Sequence, residues 1–122
     1  MSTLKLDTIA SRDGTESTDV TNVINGSAKA WVNFDGTGTV AIRESFNISS
    51  VVDTATGVFT VSFTTAMPDA NYSAVVACDD TGTTRAFAHT KTFSTGDFVI
   101  RTSRGDTGAD VDKTLYSVAV FR

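Results

Sequence analysis

The groups that could do chemistry are few in these 122 residues: one histidine, one cysteine, and acids gathered in short loops. His89 is the one side chain suited to general-base work near neutral pH. A Ser–His–Asp arrangement would need a serine presented to it, and the chain contains no Gly-x-Ser-x-Gly elbow. Cys78 stands in Ser-Ala-Val-Val-Ala-Cys-Asp-Asp. A reactive thiolate wants a cationic or helix-terminal setting, whereas Asp79 and Asp80 follow this one. Cys78 therefore reads as a small buried strand residue. As the only cysteine, it can form no intramolecular disulfide.

The acids carry little more. Asp106, Asp110 and Asp112 lie in Asp-Thr-Gly-Ala-Asp-Val-Asp, which does not match the alternate-acid spacing and sixth-position glycine of a calcium loop. A polysaccharide depolymerase needs two carboxylates roughly 5–10 Å apart. Asp79 with Asp110 is one conceivable pair, and nothing in the sequence links them. The expectation is no enzyme, no cofactor and no metal. One conditional metal site exists: a three-fold axis could bring three His89 imidazoles together. Arg104-Gly105-Asp106 matches the integrin-binding tripeptide, but a turn glycine between polar residues explains it equally well. Asn25, Asn47 and Asn71 begin Asn-x-Ser sequons, which carry meaning only after a secretory signal.

What positions these groups must be β-structure. Val and Phe carry the apolar content, Thr and Ser are abundant, and Leu is scarce. Such a composition favours strands and predicts almost no helix. Turn signals recur at short intervals: Asp35-Gly-Thr-Gly, Asp53-Thr-Ala-Thr-Gly, Met67-Pro-Asp-Ala-Asn, Asp79-Asp-Thr-Gly-Thr, Ser94-Thr-Gly-Asp and Arg104-Gly-Asp-Thr-Gly-Ala-Asp. Between them the pattern alternates. Phe59, Val61 and Phe63 share one face, and Phe98 and Ile100 share another. Phe87 sits on a face with Arg85, His89 and Lys91. The final stretch, Tyr116 to Phe121, is apolar on both faces, which predicts a central or covered strand. Val32 and Phe34 are expected to face a core, with Trp31 on the opposite face. The sum is an all-β, antiparallel β-sandwich, jelly-roll-like.

Residues 1–28 differ. Leu4 and Leu6 alternate with Lys5 and Asp7, and a polar, turn-rich stretch follows with only Val20, Val23 and Ile24 to bury. Too little apolar surface is present to offset the ordering entropy. They are expected to form a short extended N-terminal arm that orders on a partner, and residues 29–122 a β-sandwich knob domain. Net charge is -4 and the ten Lys and Arg are scattered. A nucleic-acid site wants a basic stripe, and anionic membranes want a basic patch. No stretch approaches the ~20 apolar residues of a membrane span, and none reads as a signal peptide. The chain is expected to be made in a cytoplasm and released by lysis.

Three stretches belong together: Met-Ser-Thr-Leu-Lys-Leu-Asp-Thr-Ile at the start, Lys29-Ala-Trp-Val-Asn-Phe-Asp-Gly-Thr-Gly, and Gly57-Val-Phe-Thr-Val through Met67-Pro-Asp-Ala-Asn-Tyr. They resemble the tail-fibre and related virion proteins of bacteriophages, particularly those of cyanobacterial and other aquatic hosts. The resemblance covers 29–122 and the first nine residues. It implies a β-domain assembling as a homotrimer in the virion, beside other tail or baseplate proteins. It implies attachment through the arm, for which Leu4, Leu6 and Ile9 are the candidates. Trp31, Tyr116, Val118 and Phe121 are the candidate interface. Asp79, Asp80, Thr81, Arg104, Asp106 and Asp110, in the strand-end loops, are the candidate contacts to a receptor, a host-surface glycan or outer-membrane protein. Fibres of this kind have a long shaft, and here only residues 10–27 separate the first nine residues from the knob. The protein would be a short fibre or knob; the alternative is a head decoration or baseplate protein with no receptor role.

Overall fold

The computed structural model describes residues 1–79 and 85–122. Eight strands form the sandwich: β3 (Ala28–Asp35), β4 (Ala41–Phe46), β5 (Ile48–Ala55), β6 (Val58–Phe63), β7 (Ser73–Cys78), β8 (Ala86–Phe93), β9 (Asp97–Arg104) and β10 (Tyr116–Phe121). They make two antiparallel four-stranded sheets, in the orders β4-β3-β10-β7 and β5-β6-β9-β8. A jelly roll likewise divides eight strands between two sheets.

Period-two alternation decides what enters the core. Ala30, Val32 and Phe34 of β3 and Tyr116, Val118 and Val120 of β10 meet Phe59, Val61 and Phe63 of β6 and Phe98 and Ile100 of β9. All belong to the central strands. β10 is paired on both edges, to β3 and β7, as its two-sided apolar pattern predicts. That placement corrects one expectation. Tyr116 and Val118 are buried within the protomer, because they share the face of Val120. The other face of β10 carries Ser117, Ala119 and Phe121.

The core has two aromatic centres. At one end Phe34 stacks on Tyr116 with centroids 4.6 Å apart, and Phe59 meets both edge-on at 5.4 and 5.1 Å. Gly36 lids this trio. A Cβ there would lie 2.7 Å from both Phe59 Cζ and Tyr116 Cε2, so only glycine lets the β3–β4 turn close down. At the other end Tyr72, Phe63, Phe93 and Phe98 pack together. Met67 is buried there too, which explains the Met-Pro-Asp-Ala-Asn-Tyr turn: its two ends plug the sandwich. Burial lifts the Tyr72 phenol to about 12, helped by the Asp97 carboxylate.

The chain changes sheets at Asn47, which adopts φ 55, a left-handed value Asn tolerates. Its amide donates to the carbonyls of Lys29 and Thr65, both at 3.1 Å, and accepts from Thr65 N at 2.7 Å. This residue, which reads in the sequence as a sequon, is a structural corner.

The N-terminal segment is less extended than expected. It forms a hairpin of β1 (Thr8–Ala10) and β2 (Ser17–Asp19), followed by α1 (Val20–Gly26). Asp13 closes the hairpin by accepting from Ser11 Oγ and from the Thr15 hydroxyl and amide, with Gly14 at φ 72. Those bonds, Ser11's first, hold the Asp13 carboxyl down at about 2. Yet every residue from 1 to 27 except Val20 is exposed. A two-stranded hairpin and a two-turn helix are each marginal alone in water.

The two ring types in the first aromatic centre are expected to respond differently to truncation. Phe59→Ala should lose about 3–5 kcal/mol of unfolding free energy. Tyr116→Phe should cost only about 0.5–1.5 kcal/mol, the worth of the contacts its hydroxyl makes with Thr102 and the Lys113 backbone, because the ring and its packing remain. Urea midpoints at unchanged slope check both; equal losses would contradict the packing described.

Candidate functional site

Because the strands alternate in direction, their connections fall at two ends. One end holds residues 36–40, 56–57 and 105–115, together with Asp79 and Arg85. The other holds the junction with the arm at Ala28, the corner at Asn47, residues 64–72 and 94–96, and Arg122. The arm and the long loop thus leave from opposite ends.

Segment 105–115 organises the first end by bonding to each connection around it. Gly36 N donates to Lys113 O at 3.0 Å, Asp79 N to Leu115 O at 3.0 Å, and Gly105 N to Arg85 O at 2.8 Å. Gly57 N donates to Asp112 Oδ1 at 2.6 Å. Thr114 Oγ1 reaches Asp79 Oδ2 at 2.6 Å, and Arg43 donates to Thr114 O at 2.6 Å. Thr102 N donates to Gly57 O and Val111 N to Thr102 O, at 2.7 and 3.1 Å. Gly57 sits at φ 67, and a Cβ on it would lie 2.5 Å from Thr102 O and 2.8 Å from Val111 N. The turn between β5 and β6 is therefore clamped against the long loop by backbone bonds and by the Asp112 carboxylate.

The tip of the loop is tied to itself. Arg104 forks onto Asp106, with Nε–Oδ1 and Nη2–Oδ2 both 3.1 Å. Gly108 N and Arg104 O close the turn at 2.9 Å. Asp110 accepts from Arg101 Nε at 2.9 Å and from Ser103 Oγ at 3.0 Å. Arg101 first, then Ser103, hold the Asp110 carboxyl below its ordinary value, and Arg104 does the same for Asp106. Both are ionised at neutral pH. The charges of the Arg-Gly-Asp tripeptide thus face each other.

The fold brings Asp79, Arg104, Asp106 and Asp110 to this one end. Asp79 and Asp110 are half-buried and hold the scaffold; Arg104 and Asp106 lie at the tip. Asp80 and Thr81 lie outside the described residues. Cys78, expected to be buried, is half-buried with Sγ 3.8 Å from Ala86 O. His89 is exposed on β8, opposite Arg101. Among the described residues no three His, Cys, Asp or Glu side chains gather as metal ligands, and no helix is long and apolar enough to cross a membrane.

Phe87, placed by alternation on a face with Arg85, His89 and Lys91, is a candidate that the sequence pattern alone does not single out. Its ring is 65% exposed and lies across Gly105, where a Cβ would approach the ring edge to 2.7 Å. Arg85, Phe87, Gly105 and Asp106 line a depression of about 340 Å³. The signal was present: Phe87 is the one large apolar residue on a β8 face otherwise made of Arg85, His89 and Lys91.

A second surface lies on the outer face of the β4-β3-β10-β7 sheet. The register aligns Phe46 with Trp31, Trp31 with Ala119, and Ala119 with Val75. An apolar row therefore crosses all four strands, with Phe46 53%, Trp31 38% and Val75 59% exposed. Glu44, Asn33 and Ser117 form a polar row beside it. Of the expected interface residues, Trp31 lies in this row and Phe121 is half-exposed on the same face. Leu4, Leu6 and Ile9 are all exposed on the arm.

Compared with known proteins, this chain matches no protein-family model, no curated protein and no solved structure.

Gly57→Ala is expected to remove about 3 kcal/mol or more of stability, since the left-handed backbone and the clash act together. Denaturant midpoints check the loss, and hydrogen exchange should speed up first at the amides of Thr102 and Val111. A variant with unchanged stability would show that the clamp is not needed.

Proposed function

We propose that this chain is a phage virion protein, a short tail fibre or knob that assembles as a homotrimer and contributes to binding the host surface. The observation that carries this reading is the polarity of the molecule. The arm leaves one end, and the most heavily cross-bonded loop occupies the other. A protein held to a particle through residues 1–28 would point Arg104, Asp106 and Phe87 outward. Binding residues are commonly borne on loops held by a rigid scaffold, and the clamp at Gly57 supplies that rigidity.

The apolar row supports the assembly half of the proposal. Exposed aromatic residues in a contiguous patch mark contact surfaces, and copies related by a closed symmetry cover the same patch on each chain. The arm, with Leu4, Leu6, Ile9, Val23 and Ile24 exposed, needs a partner to bury them, either the particle or a neighbouring copy. The resemblance to phage fibre proteins supplies the setting.

The test uses virions in which an epitope tag is inserted after Thr107, at the exposed tip. Such particles are expected to assemble at normal yield and to lose adsorption to host cells at least tenfold once an antibody fragment occupies the tag. Unchanged adsorption with the fragment bound would overturn the receptor role in favour of a purely structural virion protein. Absence of the chain from purified particles would overturn the virion reading altogether.

A further inference from the structure

The depression beside Phe87 has a chemistry of its own. Its floor is an aromatic ring, fixed by the glycine it lies on. Gly105 N is bonded to Arg85 O, so the loop cannot lift away from β8 without breaking that bond. The Asp106 carboxylate on one wall is already neutralised by Arg104. Arg85 is exposed and forms no ion pair among the described residues. The open charge in the depression is therefore a guanidinium.

We infer that Arg85, Phe87 and Asp106 form a binding site for an acidic saccharide, a sugar ring bearing a carboxylate or a phosphate. Each part of such a ligand has a counterpart. The C–H face of a sugar ring buries apolar surface against the negative face of an aromatic ring. An anionic substituent pairs with the planar fork of an arginine, which is shaped for bidentate contact with carboxylate or phosphate. Asp106 Oδ1 accepts from Arg104 Nε and Thr107 N, and Oδ2 from Arg104 Nη2. The second carboxylate oxygen keeps acceptor capacity for a sugar hydroxyl. The volume of about 340 Å³ is at the small end of ligand sites, which run from ~300 to 1,000 Å³. That suits a terminal sugar on a longer glycan better than an enclosed ligand. A neutral sugar would leave the Arg85 guanidinium without a counter-ion, so the site favours the acid over the neutral ring.

This inference rests on the reading that the loop end meets the host surface, and it names the class of molecule met there. The test is calorimetric titration of the purified full-length chain with trigalacturonic acid, mannose 6-phosphate and maltotriose. At least one acidic probe is expected to bind at least tenfold more tightly than maltotriose, and the two acids separate carboxylate from phosphate as the anion. Phe87→Ala should weaken the acidic probe at least tenfold. Arg85→Gln should abolish the preference for acid over neutral sugar and flatten the salt dependence. Both side chains are exposed, so both variants should keep the wild-type melting temperature. Equal binding of acid and neutral probes, no binding of either acid, or full binding by Phe87→Ala would overturn the site. If neither acid binds while the antibody fragment at Thr107 still blocks adsorption, the saccharide site falls and the receptor reading stands. If an acid binds as expected while adsorption ignores the fragment, the site stands and the receptor reading falls.

Discussion

The contact of Gly57 with the carbonyl of Thr102 and the backbone of Val111 is the constraint on which the loop end depends. A long connection between β9 and β10 has little apolar content with which to fold itself. It is ordered because its backbone is used as a strap. Thr102 N bonds back to Gly57 O, Val111 N bonds to Thr102 O, and Asp112 takes the amide of Gly57. Once Val111 and Asp112 are placed, Lys113 brings its carbonyl to Gly36 and Leu115 brings its own to Asp79. The aromatic trio of Phe34, Phe59 and Tyr116 lies directly beneath. Packing and strapping are thus one feature, seen from the core and from the loops.

Much of the sandwich was legible in the sequence because alternation has a direct physical cause. Side chains of a strand point to opposite faces, so Phe59, Val61 and Phe63 had to share the core, and Trp31 had to leave it if Val32 and Phe34 entered. The errors came where two faces were both apolar. In β10, Tyr116 and Phe121 look equally suited to an interface, and only the parity with Val118 and Val120 separates them. Asn47 was unreadable for another reason. Its role is a backbone angle and three amide bonds to residues 18 positions away on either side, which no local pattern records.

The candidate site was legible in outline only. Asp79 and the Asp-, Gly- and Arg-rich loop after β9 do meet at one end, but among the described residues their acids mostly hold the scaffold. Asp110 and Asp112 are spent on Arg101, Ser103 and the Gly57 amide. Facing outward beside Arg85 and Asp106 is Phe87, an apolar side chain in a charged row. Its meaning depends on Gly105, eighteen positions away, having no side chain to displace it. The apolar row of Phe46, Trp31, Ala119 and Val75 also needs the register of four strands before it exists as a surface.

The central proposal is that this molecule is a two-ended knob whose exposed sheet face would join it to copies of itself. The mass of the full-length chain in solution, by light scattering, tests that most directly, alongside a Trp31→Ser, Phe46→Ser double variant. The account predicts a species near three times 12.9 kDa for the natural chain, and a folded monomer for the variant. A natural chain that remains a monomer at every concentration, or a double variant that keeps the trimer mass, would contradict it.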